Sequence, residues 1–488
     1  MKQGIFDQKT WEAKESEKTK PNPAFRVRFG PGNVLLHRPS GTTRPLDEGT
    51  LKLTKFHFTA VEEEAAQRQA QRLLERQVEH TIFRLDHEDI PIAAPSPSLK
   101  FRCFPELSSL HVGSIRPIDE YESHIWHLAS ILFDDSTEEL TRKQALSTFF
   151  KELVSRSVWN DLSRTRHPAE RIFLNLTGYR LNDACIEATK NKDLHLATLI
   201  ALAENSSSEF RKDIRDQLEV WRKDGSAADI QPGYRAIYEL ICGELDGRGT
   251  AISSLGLGKR IDWRRTFAMR LWYSIPADGG IKLAVQEYWT ACQQDTNISK
   301  PTPWYGDAKE GIFDGLFQLL RLYSSTGVNF TLDDALNTYC FSNAGMDVRL
   351  SWHLYLILSQ LQQKAQFADS YGTKGGAISD SGERLTLSYV NQLEHLKLWQ
   401  WAIYVALHLR RSTTRKGVIL DLLARHISTI QSEVEEQGII SQLTDQWKIP
   451  MEWILEAKVP TSQGRANEGI ICKSTRRPLP MREESGPR

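Results

Sequence analysis

The hydrophobic positions change period along the chain. Between residues 25 and 58 they alternate: Phe25, Val27 and Phe29 interleave with Ala24, Arg26 and Arg28, "GPGN" at 30–33 turns the chain, Val34 and Leu36 follow, and Leu51, Leu53, Phe56 and Phe58 mark another run. Successive side chains on a strand point to opposite faces, so this pattern predicts two or three β-strands joined by turns. Residues 61–80, "VEEEAAQRQAQRLLERQVEH", read as a charged helix with a thin apolar stripe. The stretch 89–117 reads as a linker running over a surface, because its prolines forbid a long regular element.

From residue 118 onward the period becomes helical. Tyr121, Ile125, Leu128, Ala129 and Leu132 share one face, and "TRKQALSTFFKELVSRSVW" follows an acidic turn. The clearest pair of helices is "LNDACIEATKNKDLHLATLIALAE" at 181–204, where Ala184, Ala188, Ala197 and Ala201 permit close approach and "NKD" makes the turn. Similar segments run at about 209–223, 231–243, 262–274, 279–292, 309–324, 346–364, 383–396, 398–410, 415–430 and 450–458. They share no fixed period, which argues against a tetratricopeptide or ankyrin array and for an irregular α-solenoid. Residues 1–24 form a polar lead and 459–488 a basic, Pro/Gly-containing tail; both read as disordered.

Composition narrows the function classes. Lys+Arg and Asp+Glu each number 62 among 488 residues, so no global positive field recruits nucleic acid or anionic lipid. The longest apolar run, "LWQWAIYVALHL" at 398–409, falls short of the ~20 residues that cross a bilayer. The six cysteines are scattered and form no CxxC, a pattern of buried free thiols in a reducing nucleocytoplasmic compartment.

Candidate chemistry is weak. "SSLGLGKR" at 253–260 lacks the first glycine and the hydroxyl of a phosphate-binding loop, and "YGTKGGAISDSGE" at 371–383 contains no nucleophile elbow. His124 and His127 sit three apart on a helix without companion ligands, a spacing that suits packing better than metal. Trp263, Phe267, Ala268 and Leu271 make "DWRRTFAMRLWY" a core-facing helix in preference to an RNA-binding one. No catalytic constellation, cofactor motif or metal site is expected.

Six blocks carry a resemblance: "AFRVRFGPGNVLLHRPSG" (24–41), "IFLNLTGYRLNDACIEATKNKDLHLATLIALAE" (172–204), "IDWRRTFAMRLWYSIP" (261–276), "DVRLSWHLYLIL" (347–358), "YVNQLEHLKLWQWAIYVALHL" (389–409) and "WILEAKVP" (453–460). In this order they resemble the nucleoporin 96 family, called nucleoporin 145C in fungi, over about residues 24 to 460. The resemblance implies a non-enzymatic scaffold subunit of the Y-shaped coat subcomplex of the nuclear pore, at the nuclear envelope, supporting nucleocytoplasmic transport and mRNA export. It implies a J-shaped ancestral coatomer element with a first trunk arm at 118–165, a crown at 166–295, a returning trunk arm at 296–400 and a tail at 401–460. It also implies an insertion blade, residues 25–60, completing the open β-propeller shared with the COPII coat.

An isolated sheet of two or three strands is marginal in water and leaves its edges open, which suits strands donated to a partner. The expected blade residues are Phe25, Val27, Phe29, Val34, Leu36, Leu51, Leu53, Phe56 and Phe58, each fully buried apolar side chain contributing roughly 1.5–3 kcal/mol. A small private sheet packed on the solenoid is the alternative. The resemblance further implies a neighbouring stem nucleoporin on the crown and short-arm nucleoporins near the vertex on the tail, with no direct nucleic acid and no membrane span. Ile214, Leu218 and Trp221 on "EFRKDIRDQLEVWRK" are the expected exposed crown residues, although their spacing also fits an intramolecular core.

The sequence departs from the family in two respects. Its only FG dipeptide is Phe29-Gly30, so the chain is not barrier material, and its lead is shorter than the family's, which places Met1 in question as the natural start. The competing readings are an outer vesicle-coat subunit, which would bring its own WD-type propeller and a proline-rich region, and an α-helical enzyme with a dispersed site.

Overall fold

A computed structural model describes residues 28–30, 34–37, 52–55, 60–104, 117–134, 138–203, 208–245, 261–276, 279–294, 298–306, 311–324, 330, 332–363, 380–430 and 432–458. The chain is mainly helical, as its period from residue 118 predicts. Strands β1 (Arg28–Gly30), β2 (Val34–His37) and β3 (Lys52–Lys55) make an antiparallel sheet in that order. Helix α1 (Ala60–Val78) leads into a second sheet, the antiparallel hairpin of β4 (Thr81–Leu85) and β5 (Pro91–Pro95). This hairpin corrects the linker reading of the segment that starts at residue 89. Both prolines of β5 stand at pairs where no ladder N–H is needed, so they do not break the strand.

Then follow α2 (Pro117–Phe133), α3 (Glu139–Arg164), α4 (Pro168–Thr177), α5 (Leu181–Lys190), α6 (Leu194–Ala203), α7 (Ser208–Lys223) and α8 (Pro232–Ile241). Pro168 and Pro232 open their helices at positions where the missing N–H costs nothing. Helix α9 (Trp263–Met269) begins under an Asp262 cap and widens into a π turn at Arg270–Ser274. It is followed by α10 (Ile281–Gln294), α11 (Gly315–Ser324), the short α12 (Leu332–Ala335) and α13 (Arg349–Gln363). The last five are α14 (Asp380–His395), α15 (Trp399–Ala406), α16 (Ser412–His426), α17 (Glu433–Ser441) and α18 (Met451–Lys458).

The chain doubles back on itself: α9 packs on α3, and α11 on α2. Buried polar groups fix this return. Tyr121 on α2 donates to Asp314 at 2.9 Å and accepts from the Gly315 N–H at 3.0 Å, and Arg265 on α9 reaches Asp161 on α3 and Thr177 on α4. Burial holds the Asp314 carboxyl above the usual carboxylate range, with Arg264 nearby acting against that shift.

Two cores result. The first runs from α2 through α12 and takes in Leu73, Leu99, Phe101 and Phe104; the second gathers α14 to α18 together with Ala70, Leu74, Ile90 and Ala93 of the N-terminal segment. Helix α13 is the wall between them. Leu350, Leu354, Ile357 and Leu358 belong to the first core, Trp352 and Leu356 to the second, as helical spacing on opposite faces requires. Its Arg349 bonds Glu122 of α2 at 2.9 Å, and its His353 meets Gln77 of α1. Among the described residues no helix is long and apolar enough to cross a membrane.

Candidate protein-interaction surfaces

The hairpin α5–α6 follows the alanine reading in part: Ala184 and Ala188 are buried, but Ala197 is half-buried and Ala201 exposed, so Leu196, Ile200 and Ala203 form the inner face of α6 instead. The Cys185 thiol lies 3.5 Å from the Ala197 carbonyl. The turn holds Lys192 at a left-handed φ of 63°, and Asp193 accepts from the Leu196 N–H at 3.0 Å, capping α6.

Helix α6, "LHLATLIALA", is apolar nearly all round, yet only one side is covered. Leu194 is 66% exposed and Leu202 54%, and on α5 Ile186 is 52% exposed. A helix hydrophobic all round belongs in an interior, so an exposed one needs a partner. That signal was legible in the sequence, which points to this hairpin for its alanines alone. Charged groups of α4 and α5 pair beside this face. Arg171 and Lys190 hold Glu187, both at 3.3 Å, and the Arg171 hydrogen bonds keep its carboxyl below the ordinary range. Trp159 on α3 is 59% exposed under the Arg180 guanidinium, 4.2 Å from its ring centre.

The expected crown residues behave differently. Ile214 and Leu218 of α7 are buried in the chain's own first core, and Trp221 is half-buried, edge-on to Tyr238 at 5.4 Å. This burial corrects the expectation of exposure. The physical cause lies on the same helix: Arg211 donates to the carbonyls of Trp272, Tyr273 and Ile275, and Arg215 to that of Cys242 at 2.9 Å. These carbonyls end the π turn and α8, so satisfying them rolls the apolar stripe of α7 inward. Gly243, at φ 79°, lets the backbone come so close to Tyr273 that any Cβ would meet its carbonyl oxygen at 2.5 Å.

In the first sheet Phe29 stands opposite Leu35, which stands opposite Thr54; Leu36 stands between Arg28 and Leu53, and Val34 between Gly30 and Lys55. Opposed residues share a face of the pleat, so Phe29 and Leu35 lie in one row and Val34, Leu36 and Leu53 in the other. Of the other expected blade residues, Phe25, Val27, Leu51, Phe56 and Phe58 lie outside the described residues, as do residues 253–260 and 371–379 of the glycine-rich stretches.

His124 and His127 both set their rings edge-on to Phe149, at 6.1 and 5.4 Å, which is a packing role. Among the described residues no group of three or more His, Cys, Asp or Glu is placed to hold a metal.

Residues 170–460 match the family described as nuclear protein 96. The chain is 30% identical over 417 residues to nucleoporin nup189 of Schizosaccharomyces pombe, covering 79% of this chain and 22% of that protein. It is 27% identical over 360 residues to nuclear pore complex protein Nup98-Nup96 of Drosophila melanogaster, covering 70% and 17%, and 28% identical over 346 residues to nuclear pore complex protein NUP96 of Arabidopsis thaliana, covering 67% and 30%. The chain thus spans less than a third of the length of each of these relatives.

Proposed function

The chain belongs to the nuclear protein 96 family, and from that premise we propose that it is a structural nucleoporin of the nuclear pore complex at the nuclear envelope. It acts by binding: its first sheet completes the open β-propeller shared with the COPII coat. The single observation that carries this reading is the register of β1, β2 and β3, with apolar residues in both rows. A sheet covered on one side by its own chain needs only one apolar row, whereas a propeller blade is stacked between neighbours and needs two. Residues 166–295 are the crown, joining a neighbouring helical stem subunit, and 401–460 the tail, meeting short-arm subunits near the vertex of the Y-shaped coat. Transport and mRNA export depend on the scaffold so formed.

The test is co-expression with the coat propeller, followed by size-exclusion chromatography with light scattering. A one-to-one complex is expected for the full chain and none for a variant lacking residues 25–58, with helical circular dichroism retained. A deletion variant that still binds tightly overturns the blade reading.

The exposed face of α5–α6 supports the crown assignment, with Leu194 and Leu202 replacing Ile214 and Leu218 as contact residues. Leu194→Asp with Leu202→Asp is expected to weaken binding of the neighbouring helical subunit at least about tenfold, roughly 1.4 kcal/mol, because apolar anchors dominate such interfaces. Propeller binding and the melting curve should not move. Unchanged affinity for the helical subunit would remove this face from the interface.

A further inference from the structure

The second sheet has two unlike edges. Its ladder runs through the bonds from the Asp86 N–H to the Ile90 carbonyl at 3.0 Å and from the Ser96 N–H to the His80 carbonyl at 2.8 Å. The alternation of an antiparallel ladder therefore turns the backbone groups of residues 81, 83 and 85 outward on β4, and those of 91, 93 and 95 outward on β5. The β5 edge is closed. Its Ala93 N–H donates to the Leu407 carbonyl at 3.0 Å, while the carbonyls of Pro91 and Pro95 accept from Arg415 and Gln360, both at 2.7 Å. Its two prolines carry no N–H.

The β4 edge carries none of these protections. Among the described residues nothing bonds the N–H or C=O of Phe83 or Leu85. Ile82 is 50% exposed and Leu85 51%, and between them stands Arg84, exposed and with no ion-pair partner among the described residues. Yet the strand is held rigidly from behind: Phe83 lies 6.1 Å from the ring of Tyr404 and 6.5 Å from that of Trp447, and Thr81 bonds the Tyr404 hydroxyl at 2.7 Å. An ordered strand with outward backbone groups and flanking apolar side chains is a template for another strand.

We propose that the outer edge of β4 docks an extended peptide segment of another protein by strand addition, with an acidic side chain level with Arg84 and apolar side chains against Ile82 and Leu85. Charge selects this occupant. A lone exposed guanidinium on the edge favours a carboxylate beside it, and the acidic turn at 86–89 disfavours one at the hairpin tip. The site is distinct in sequence from the first sheet, with the 19 residues of α1 between the two.

The probe is a short fluorescein-labelled synthetic peptide of valine and threonine, with two valines three positions apart to stand against Ile82 and Leu85 and one glutamate level with Arg84, titrated with the full chain and followed by anisotropy. Comparison peptides carry lysine in place of glutamate, or N-methyl groups on alternate backbone nitrogens. Leu85→Pro removes one outward N–H that the hairpin does not use, so affinity is expected to fall at least about tenfold while the melting curve stays in place. Arg84→Glu is expected to reverse the preference for glutamate over lysine, and N-methylation to abolish binding. The proposal fails if no peptide raises the anisotropy, or if binding survives both Leu85→Pro and N-methylation. It also fails if light scattering shows a dimer of the chain that Leu85→Pro dissolves, since the edge would then serve a second copy.

Discussion

Arg415→Met is expected to lower the stability of the second core by about 2–4 kcal/mol, because buried carbonyls lose their charged donor at roughly 1–3 kcal/mol each before the site relaxes. The Arg415 side chain is wholly buried and faces three directions. Its Nε donates to the Pro91 carbonyl at 2.7 Å, its Nη1 to the carbonyls of Leu409 and Arg410 at 2.6 and 3.1 Å, and its Nη2 pairs with Asp86. One guanidinium thus holds the link between α15 and α16 and fastens the β4–β5 hairpin, hundreds of residues earlier in the chain, to it. Methionine restores the volume but leaves these oxygens without a donor in an interior position. Lysine is expected to rescue little, because one ammonium cannot span the fork. The check is urea unfolding followed by tryptophan fluorescence, since Trp399, Trp401, Trp447 and Trp453 all belong to this core. An unchanged midpoint would mean that the hairpin is not bound to the tail helices as described.

Mild acid is the second large effect. His353 is fully buried between Gln77, Tyr389 and the ring of Trp352, and His408 stands edge-on to Trp352 and Tyr404 at 5.4 and 5.0 Å. Burial pushes the His353 imidazole well below its ordinary range, helped by the Arg349 charge, and pushes His408 down to about 4. Unfolding returns both to about 6.5, so below that pH the unfolded chain binds protons that the folded chain refuses, and stability is lost as pH falls from about 6.5 toward 4. Between about pH 7 and pH 5, His408 alone accounts for about 2 kcal/mol. Asp134 and Asp314, which burial holds above the usual carboxylate range, act in the opposite sense, so the histidine contribution is read as the difference between the natural chain and a variant. Urea midpoints measured across that interval should fall for the natural chain and fall less for His408→Phe. Equal slopes would place the titration elsewhere.

Both effects fall where distant parts of the chain meet, and that is where the sequence is least informative. The helical pair at 181–204 was legible to within a residue, because alanine spacing and the "NKD" turn act locally. The strands between 28 and 55 were legible for the same reason: alternation is a property of a few neighbours. The hairpin at 81–95 was not, since its prolines read as breakers until the pairing register shows that they stand where no N–H is used. The stripe of Ile214, Leu218 and Trp221 has the same periodicity whether it faces a partner or the chain's own core.

Only tertiary structure decides between those faces. The carbonyls that Arg211 and Arg215 satisfy come from the ends of other helices, and nothing near α7 in sequence announces them. By itself the sequence determined a mainly helical chain with a strand-forming lead and, through its collinear blocks, the family to which it belongs. The structure decided which apolar side chains are consumed inside the molecule and which, at Leu194, Leu202, Ile82 and Leu85, stay exposed. The physical reason is that periodicity records which residues share a face, whereas burial depends on what the rest of the chain brings to that face.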